Sequence, residues 1–368
     1  MTSKGLLAIV ACVLGTGVAL AQSQPPRLPS PAANAPAPLV QAPADPGYAA
    51  LIATCKTPPP AGRGRGGAGG RGGGTPAPVP GIREYKVPEI PGVIAAGQQW
   101  TFLWQEAGNN GDGILGTADG GLLLAQNDNG KVVKLDPTGK ASIAYSDTRT
   151  GGALSMNTKN QLFIVERGLR ASVTQLVPER RMLANMYQGE PLDCIGGVIN
   201  DLSADGKGGV YFTMGGVYYA DPKGVVTKYG EGVTPNGIVL SADEKTLYVT
   251  NGPAIAAFDV QPNGSLTNQR EFGKLEGPGG GDGLTIDSAG RIFVTSNAGI
   301  QVLGPDGKHL GTIPTPRGVI TGAFGGKDKK TFFILARGAT AADGTEVANA
   351  AQVWSIPMIA QGYKGRAK

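Results

Sequence analysis

Asp112, Asn200, Asn236 and Asp282 are the residues of this chain whose types and spacing could do chemistry together. Each stands ten or eleven residues before a short run of β-formers, and that run recurs. Leu122, Leu162, Val210, Leu247, Ile292 and Phe332 mark it, at steps of 40, 48, 37, 45 and 40 residues. Gly152 and Thr321 occupy the same offset in the other two repeats. Equivalent positions of a radial repeat face one axis, so the offset gathers the four polar residues at the mouth of one channel. Two carboxylates and two amide oxygens are hard ligands, suited to Ca²⁺ or Mg²⁺ rather than to a soft metal. A hard cation polarises a carbonyl or phosphoryl oxygen and lowers the pKa of water. Asp282 is the carboxylate expected to orient or deprotonate that water. Asn-Gly and Asp-Gly pairs are also ordinary turn formers. Four polar residues at one offset favour the site over the turn.

The elements that must position them are short strands. In 281–295, Leu284 and Ile286 alternate with polar neighbours, Asp287 to Gly290 carry turn chemistry, and Ile292 to Thr295 resume β-formers. A strand-rich unit repeating about every 40–45 residues is the signature of propeller blades. The expected fold is therefore all-β, a six-bladed β-propeller over 96–360, followed by a C-terminal tail, 361–368. No long amphipathic helical pattern interrupts it, and the abundant glycine (60 residues) suits tight hairpins.

Composition excludes several other chemistries. His309 is the single histidine and lies far from the channel offset, against a multi-histidine zinc site or a Ser-His-Asp arrangement. Cys12, Cys55 and Cys194 form no close-spaced metal motif. No phosphate-binding glycine loop leads from a strand into a helix. The formal charge of +5 partly reflects three arginines in 62–74, and basic residues elsewhere are interleaved with acidic ones, so no nucleic-acid footprint is defined.

Residues 1–21 read as a secretory signal, with Lys4, an apolar core from Leu6 to Leu20 and an Ala19-Leu20-Ala21 cleavage site. The core is too short for stable membrane insertion, so an exported protein, periplasmic or secreted, is expected. From 22 to 95 proline, alanine, glycine and arginine dominate, and a largely disordered linker is expected. Cys55 and Cys194 remain after the signal is removed; an oxidising compartment allows them to bridge, and two free thiols are the alternative.

Four short motifs add a resemblance. Asn200-Asp201-Leu202 with Val210-Tyr211-Phe212-Thr213 is similar to an N-D motif. Thr234-Pro235-Asn236-Gly237-Ile238 is similar to a P-N-G motif. Gly281-Asp282-Gly283 is similar to a D-G motif, and Ala323-Phe324-Gly325-Gly326 to a closing F-G-G. In this order they resemble the SMP-30/gluconolactonase/LRE-like family of six-bladed propellers, over about 100–358. Glu166-Arg167 with Tyr187-Gln188-Gly189 resembles the stretch before the N-D motif in bacterial gluconolactonases. The resemblance implies a divalent cation, Ca²⁺ first with Mg²⁺ and Zn²⁺ as alternatives, on residues matching Asp112, Asn236 and Asp282. It places Asn200 at the metal or the substrate and Glu166 with the substrate. It implies that Asp282 participates in hydrolysis of a lactone or related ester. Two departures stand out. Asp112-Gly113-Ile114 replaces the family's E-G-P, with Glu106 near enough in sequence to substitute, and Val198 stands where some members carry an arginine. The second departure leaves a less polar lactone or ester open as substrate. A non-catalytic propeller that binds a ligand or partner protein around a structural cation, and an organophosphate-type hydrolase, are the other readings.

Overall fold

The computed structural model describes residues 24–28, 39–59 and 81–366. The expected signal and the arginine-glycine stretch lie outside the described residues. Six four-stranded antiparallel sheets stand as the blades of a β-propeller. Blades 1 to 5 are formed in chain order by 111–145, 151–184, 202–229, 235–274 and 284–313. Blade 6 takes its three inner strands from 319–357 and its outermost strand from Thr101–Ala107. That strand pairs antiparallel with Glu346–Pro357, for instance Thr101 opposite Ser355, and closes the ring. Each sequence anchor falls on the first or second residue of its blade's second strand, so the repeat read from the sequence is the blade.

Blades stack face to face, and the core is divided among their interfaces. Leu115, Leu123 and Ala125 of blade 1 meet Leu154, Leu162 and Ile164 of blade 2. Tyr211 and Val217 of blade 3 meet Ile238 and Leu247 of blade 4. Phe293 and Ile300 of blade 5 meet Phe324, Phe332 and Trp354 of blade 6. Inner strands are covered on both sides, which is why Leu122–Gln126 is buried throughout instead of alternating. Outer strands such as Ala141–Tyr145 face solvent, with Ile143 exposed among smaller and polar neighbours.

The antiparallel order puts the start of each innermost strand, the hairpin between second and third strands, and the blade-to-blade connections on one face, the upper one here. The described N-terminal segments follow that face as far as Arg83. Leu28 bridges to Ala341 of blade 6. The Leu39 amide reaches the Asp128 carbonyl of blade 1 at 2.8 Å, and that of Ala42 reaches Arg167 of blade 2 at 2.7 Å. A short helix, Tyr48–Ile52, leads to Cys55, which is bridged to Cys194 in the connection before blade 3. Arg83 then bonds Pro316, between blades 5 and 6, at 2.8 Å. Val87, Ile90, Val93, Ile94 and Trp100 are buried in the blade 5–6 core. The expectation of a largely disordered linker to residue 95 is thus corrected for its described parts: a few apolar residues suffice because they fill a neighbour's interface instead of building a core. The C-terminal tail also docks. Gly362 bridges Asp287, and the buried Arg366 bonds the Ser241 carbonyl at 2.9 Å on the lower face.

A chain beginning at residue 91 lacks Val87, Ile90 and the Cys55–Cys194 tie. Large-to-small loss of one such buried side chain costs about 2–5 kcal/mol, so calorimetry should show a Tm several degrees below the full chain. An unchanged Tm would mean these contacts are not stabilising.

Candidate active site at the channel mouth

Asp112, Asn200, Asn236 and Asp282, with Asp201 and Thr321, line one cavity where the six innermost strands begin. Its volume is about 20 Å³, the room of roughly one water-sized sphere. The glycines that follow three of these residues are not turn formers. A Cβ on Gly113 would lie 2.6 Å from the Cα of Ala153, one on Gly283 2.7 Å from Thr321 Oγ1, and one on Gly237 would overlap the Asp282 carbonyl. Adjacent inner strands therefore approach at these positions more closely than any side chain permits. Asp112, Asn236 and Asp282 thus each stand directly before one of these close approaches.

Threonines fix the strand entrances. Thr213 Oγ1 accepts the Asp201 amide at 3.1 Å and donates to the Asn236 carbonyl at 2.7 Å. Thr250 Oγ1 accepts the amides of Asn236 and Gly237 at 3.1 and 2.8 Å. Thr295 Oγ1 accepts the Gly283 amide at 2.8 Å and donates to the Ile320 carbonyl, also at 2.8 Å. All three are buried. The sequence signal existed: each stands three residues beyond its anchor, Val210, Leu247 or Ile292, in the three blades that carry Asn200, Asn236 and Asp282.

Two arginines reach the site and were not anticipated as site residues. Arg167 forms an ion pair with Asp112 and donates to Asn200 Oδ1 at 2.9 Å. Arg337 lies 3.5 Å from Asp282. Asn200 Nδ2 donates to Asn236 Oδ1 at 2.5 Å. Asp201 turns its carboxylate into the fold, accepting the amides of Leu202 at 2.8 Å and Ile238 at 2.9 Å. Two expected residues are not brought to the cavity. Glu166 is buried and bonds Ser172 at 3.1 Å, Thr174 at 2.9 Å and Arg180 at 2.7 Å. Its carboxylate holds blade 2 together, and it does not line the cavity. Glu106 sits on the outermost strand of blade 6 and bonds Gln126, so Asp112 is the first-blade carboxylate of the cavity.

Among the described residues no three His, Cys, Asp or Glu side chains assemble as a metal-holding group. The amides would have to complete any cation site, and the available set of two carboxylates and two amide oxygens is a hard one. Electrostatics fits a cation there. Burial, then the neighbouring Asp112 anion, push the Asp282 carboxyl up to about 7, against the opposing pull of Arg337. The side chain keeps about a fifth of its surface open at the mouth (21%), so water relieves part of that cost. A hard divalent ion would fit the oxygens of Asp112, Asn236 and Asp282, with Asn200 beside them.

A six-bladed propeller with an oxygen-lined channel mouth is the class that fold and site define. The chain belongs to the SMP-30/gluconolactonase/LRE-like family, whose sequence profile matches residues 141–338. It is 28% identical to the gluconolactonase of Zymomonas mobilis over 285 residues, 66% of this chain and 78% of that protein. It is 32% identical to the pentonolactonase XacC of Haloferax volcanii over 154 residues, 38% of this chain and 53% of that protein. The gluconolactonase XC5397 of Xanthomonas campestris shares the fold, with a TM-score of 0.62 and 21% identity over 77% of this chain and 98% of that one.

The raised Asp282 pKa gives a stability prediction. The folded state disfavours its ionised form, so the penalty is absent below the unfolded carboxyl range, near pH 4, and full above about pH 7. Without divalent ions, Asp282→Asn should raise Tm by several degrees near pH 8, and the gain should shrink to nothing near pH 4. An equal gain at both values would show that Asp282 is not perturbed in the fold.

Proposed function

We propose that the protein is a divalent-cation-dependent hydrolase of a lactone or related ester, acting at the channel mouth. The observation that carries this reading is the convergence of Asp112, Asn200, Asn236 and Asp282 on one cavity. The gluconolactonase and pentonolactonase relatives support the substrate class. Asp112, Asn236 and Asp282 would hold the cation, with Ca²⁺ the best match to the donors. When bound, that ion supplies Lewis acidity to an ester carbonyl.

The chain's own residues do the rest. Asp282, a carboxylate at the channel mouth, would orient an attacking water and accept its proton. Its bond partner Arg337, half-exposed at the mouth, holds the carboxylate in place. Asn200, fixed between Arg167 and Asn236, orients a substrate oxygen with its amide. Export to an oxidising compartment is part of the same proposal, and the Cys55–Cys194 bridge supports it. Among the described residues no helix is long and apolar enough to cross a membrane.

The test is acid release from a panel running from aldonolactones to less polar lactones, with an aryl phosphotriester alongside, each with and without chelator. Chelation should abolish turnover, and Ca²⁺ should restore it. Asp282→Asn should lower kcat by a factor of roughly 10²–10⁴, the usual worth of a positioned acid–base group. Asn236→Ala should act through cation binding, so excess Ca²⁺ should recover part of its loss. Should Asp282→Asn cleave the best lactone as fast as the parent, the propeller is better read as a binding module. Turnover of the phosphotriester alone would move the activity to organophosphates.

A further inference from the structure

The ring of equivalent positions at the channel mouth has a gap at Gly152, where blade 2 offers no side chain. Arg167, just beyond the second strand of the same blade, fills it. The guanidinium lies directly over Gly152, where any Cβ would fall on its Cζ, Nε and Nη2 atoms. Its donors are spent on the ring and its supports. Nε donates to the Ile199 carbonyl at 2.9 Å, and Nη2 to the Asn200 carbonyl and Oδ1 at 2.6 and 2.9 Å. Nη1 pairs with the Asp112 carboxylate. Asn127, with its amide turned so that the oxygen faces the guanidinium, is 3.1 Å from Nη1. The side chain is only 4% exposed and ties blades 1, 2 and 3 at the cavity.

We propose that Arg167 is the site's resident counter-charge, a positioning residue that neutralises Asp112, orients Asn200 and thereby keeps divalent-cation binding weak and exchangeable. The inference rests on the cation reading above and deepens it. With every N–H engaged, Arg167 has none left for substrate, so it acts through Asp112 and Asn200. Two effects on a cation oppose one another. Loss of Arg167 frees Asp112 to move, which weakens binding. It also removes a fixed positive charge in contact with one of the two carboxylates, which strengthens binding. In a buried, weakly screened site a full charge at contact range outweighs the orientation of a single ligand.

Isothermal titration of the purified, chelator-treated chain with CaCl₂ and with MgCl₂ tests this without reference to turnover. Arg167→Gln should bind Ca²⁺ about tenfold tighter than the parent or better. Arg167→Lys keeps the charge and should stay close to the parent in affinity. Gly152→Ala gives independent access, because its methyl must displace the guanidinium; it should tighten Ca²⁺ binding in the same direction. Once Arg167→Ala has vacated that space, adding Gly152→Ala should change nothing further. Circular dichroism and Tm identify any variant that fails to fold, and Gly152→Ala then carries the test. Unchanged or weaker Ca²⁺ binding in folded Arg167→Gln and Gly152→Ala overturns the inference. So does an Arg167→Lys chain that behaves like Arg167→Gln. If the parent itself takes up neither Ca²⁺ nor Mg²⁺, it is the cation reading that falls, and the inference falls with it.

Discussion

Steric exclusion at the axis is the constraint on which the rest depends. The innermost strands come so close that the residues after Asp112, Asn236 and Asp282 must be glycine, since a Cβ there would collide with the next blade, with its backbone at Gly113 and Gly237 and with Thr321 Oγ1 at Gly283. That approach narrows the channel to a cavity of about 20 Å³ and forces the preceding side chains toward its mouth. Blade 3 breaks the pattern with Asp201 in place of glycine, and its carboxylate is absorbed by amides of blades 3 and 4. A third acid at the axis therefore serves the backbone and adds no open ligand.

Charge at the mouth is balanced in pairs. Asp112 is matched by Arg167 and Asp282 by Arg337. The two pairs are unequal. Arg167 is buried in direct contact, while Arg337 is half-exposed at 3.5 Å, so Asp282 is the carboxylate left short of compensation. Burial and the Asp112 anion then raise its affinity for a proton in the cation-free fold. The asymmetry makes the two acids of one ring electrostatically unequal.

How much of this could be read from the sequence depends on periodicity. The blades were legible because each second strand begins with a β-former at a near-constant step. The four mouth residues were legible because they share one offset from it. Arg167 was not, because it reaches the ring from a neighbouring strand end and fills a slot that the sequence shows only as glycine. Glu166 looked available and is consumed by Ser172, Thr174 and Arg180; a side chain at a strand end gives no sign of which way its bonds run. The N-terminal segment misled for a related reason. Val87, Ile90, Val93 and Ile94 show no period, because they fit a groove whose shape is set by blades 5 and 6.

Ring closure by Thr101–Ala107 against Glu346–Pro357 has a consequence for folding order. All four mouth residues are made before Gly283, yet the strand that seals the circle comes more than sixty residues later. A growing or truncated chain that stops short of it can possess all four mouth residues and no closed mouth. Pairings this distant in sequence are entropically slow to form. The site should thus be among the last features to mature, arising from completion of the circle and not from any one blade.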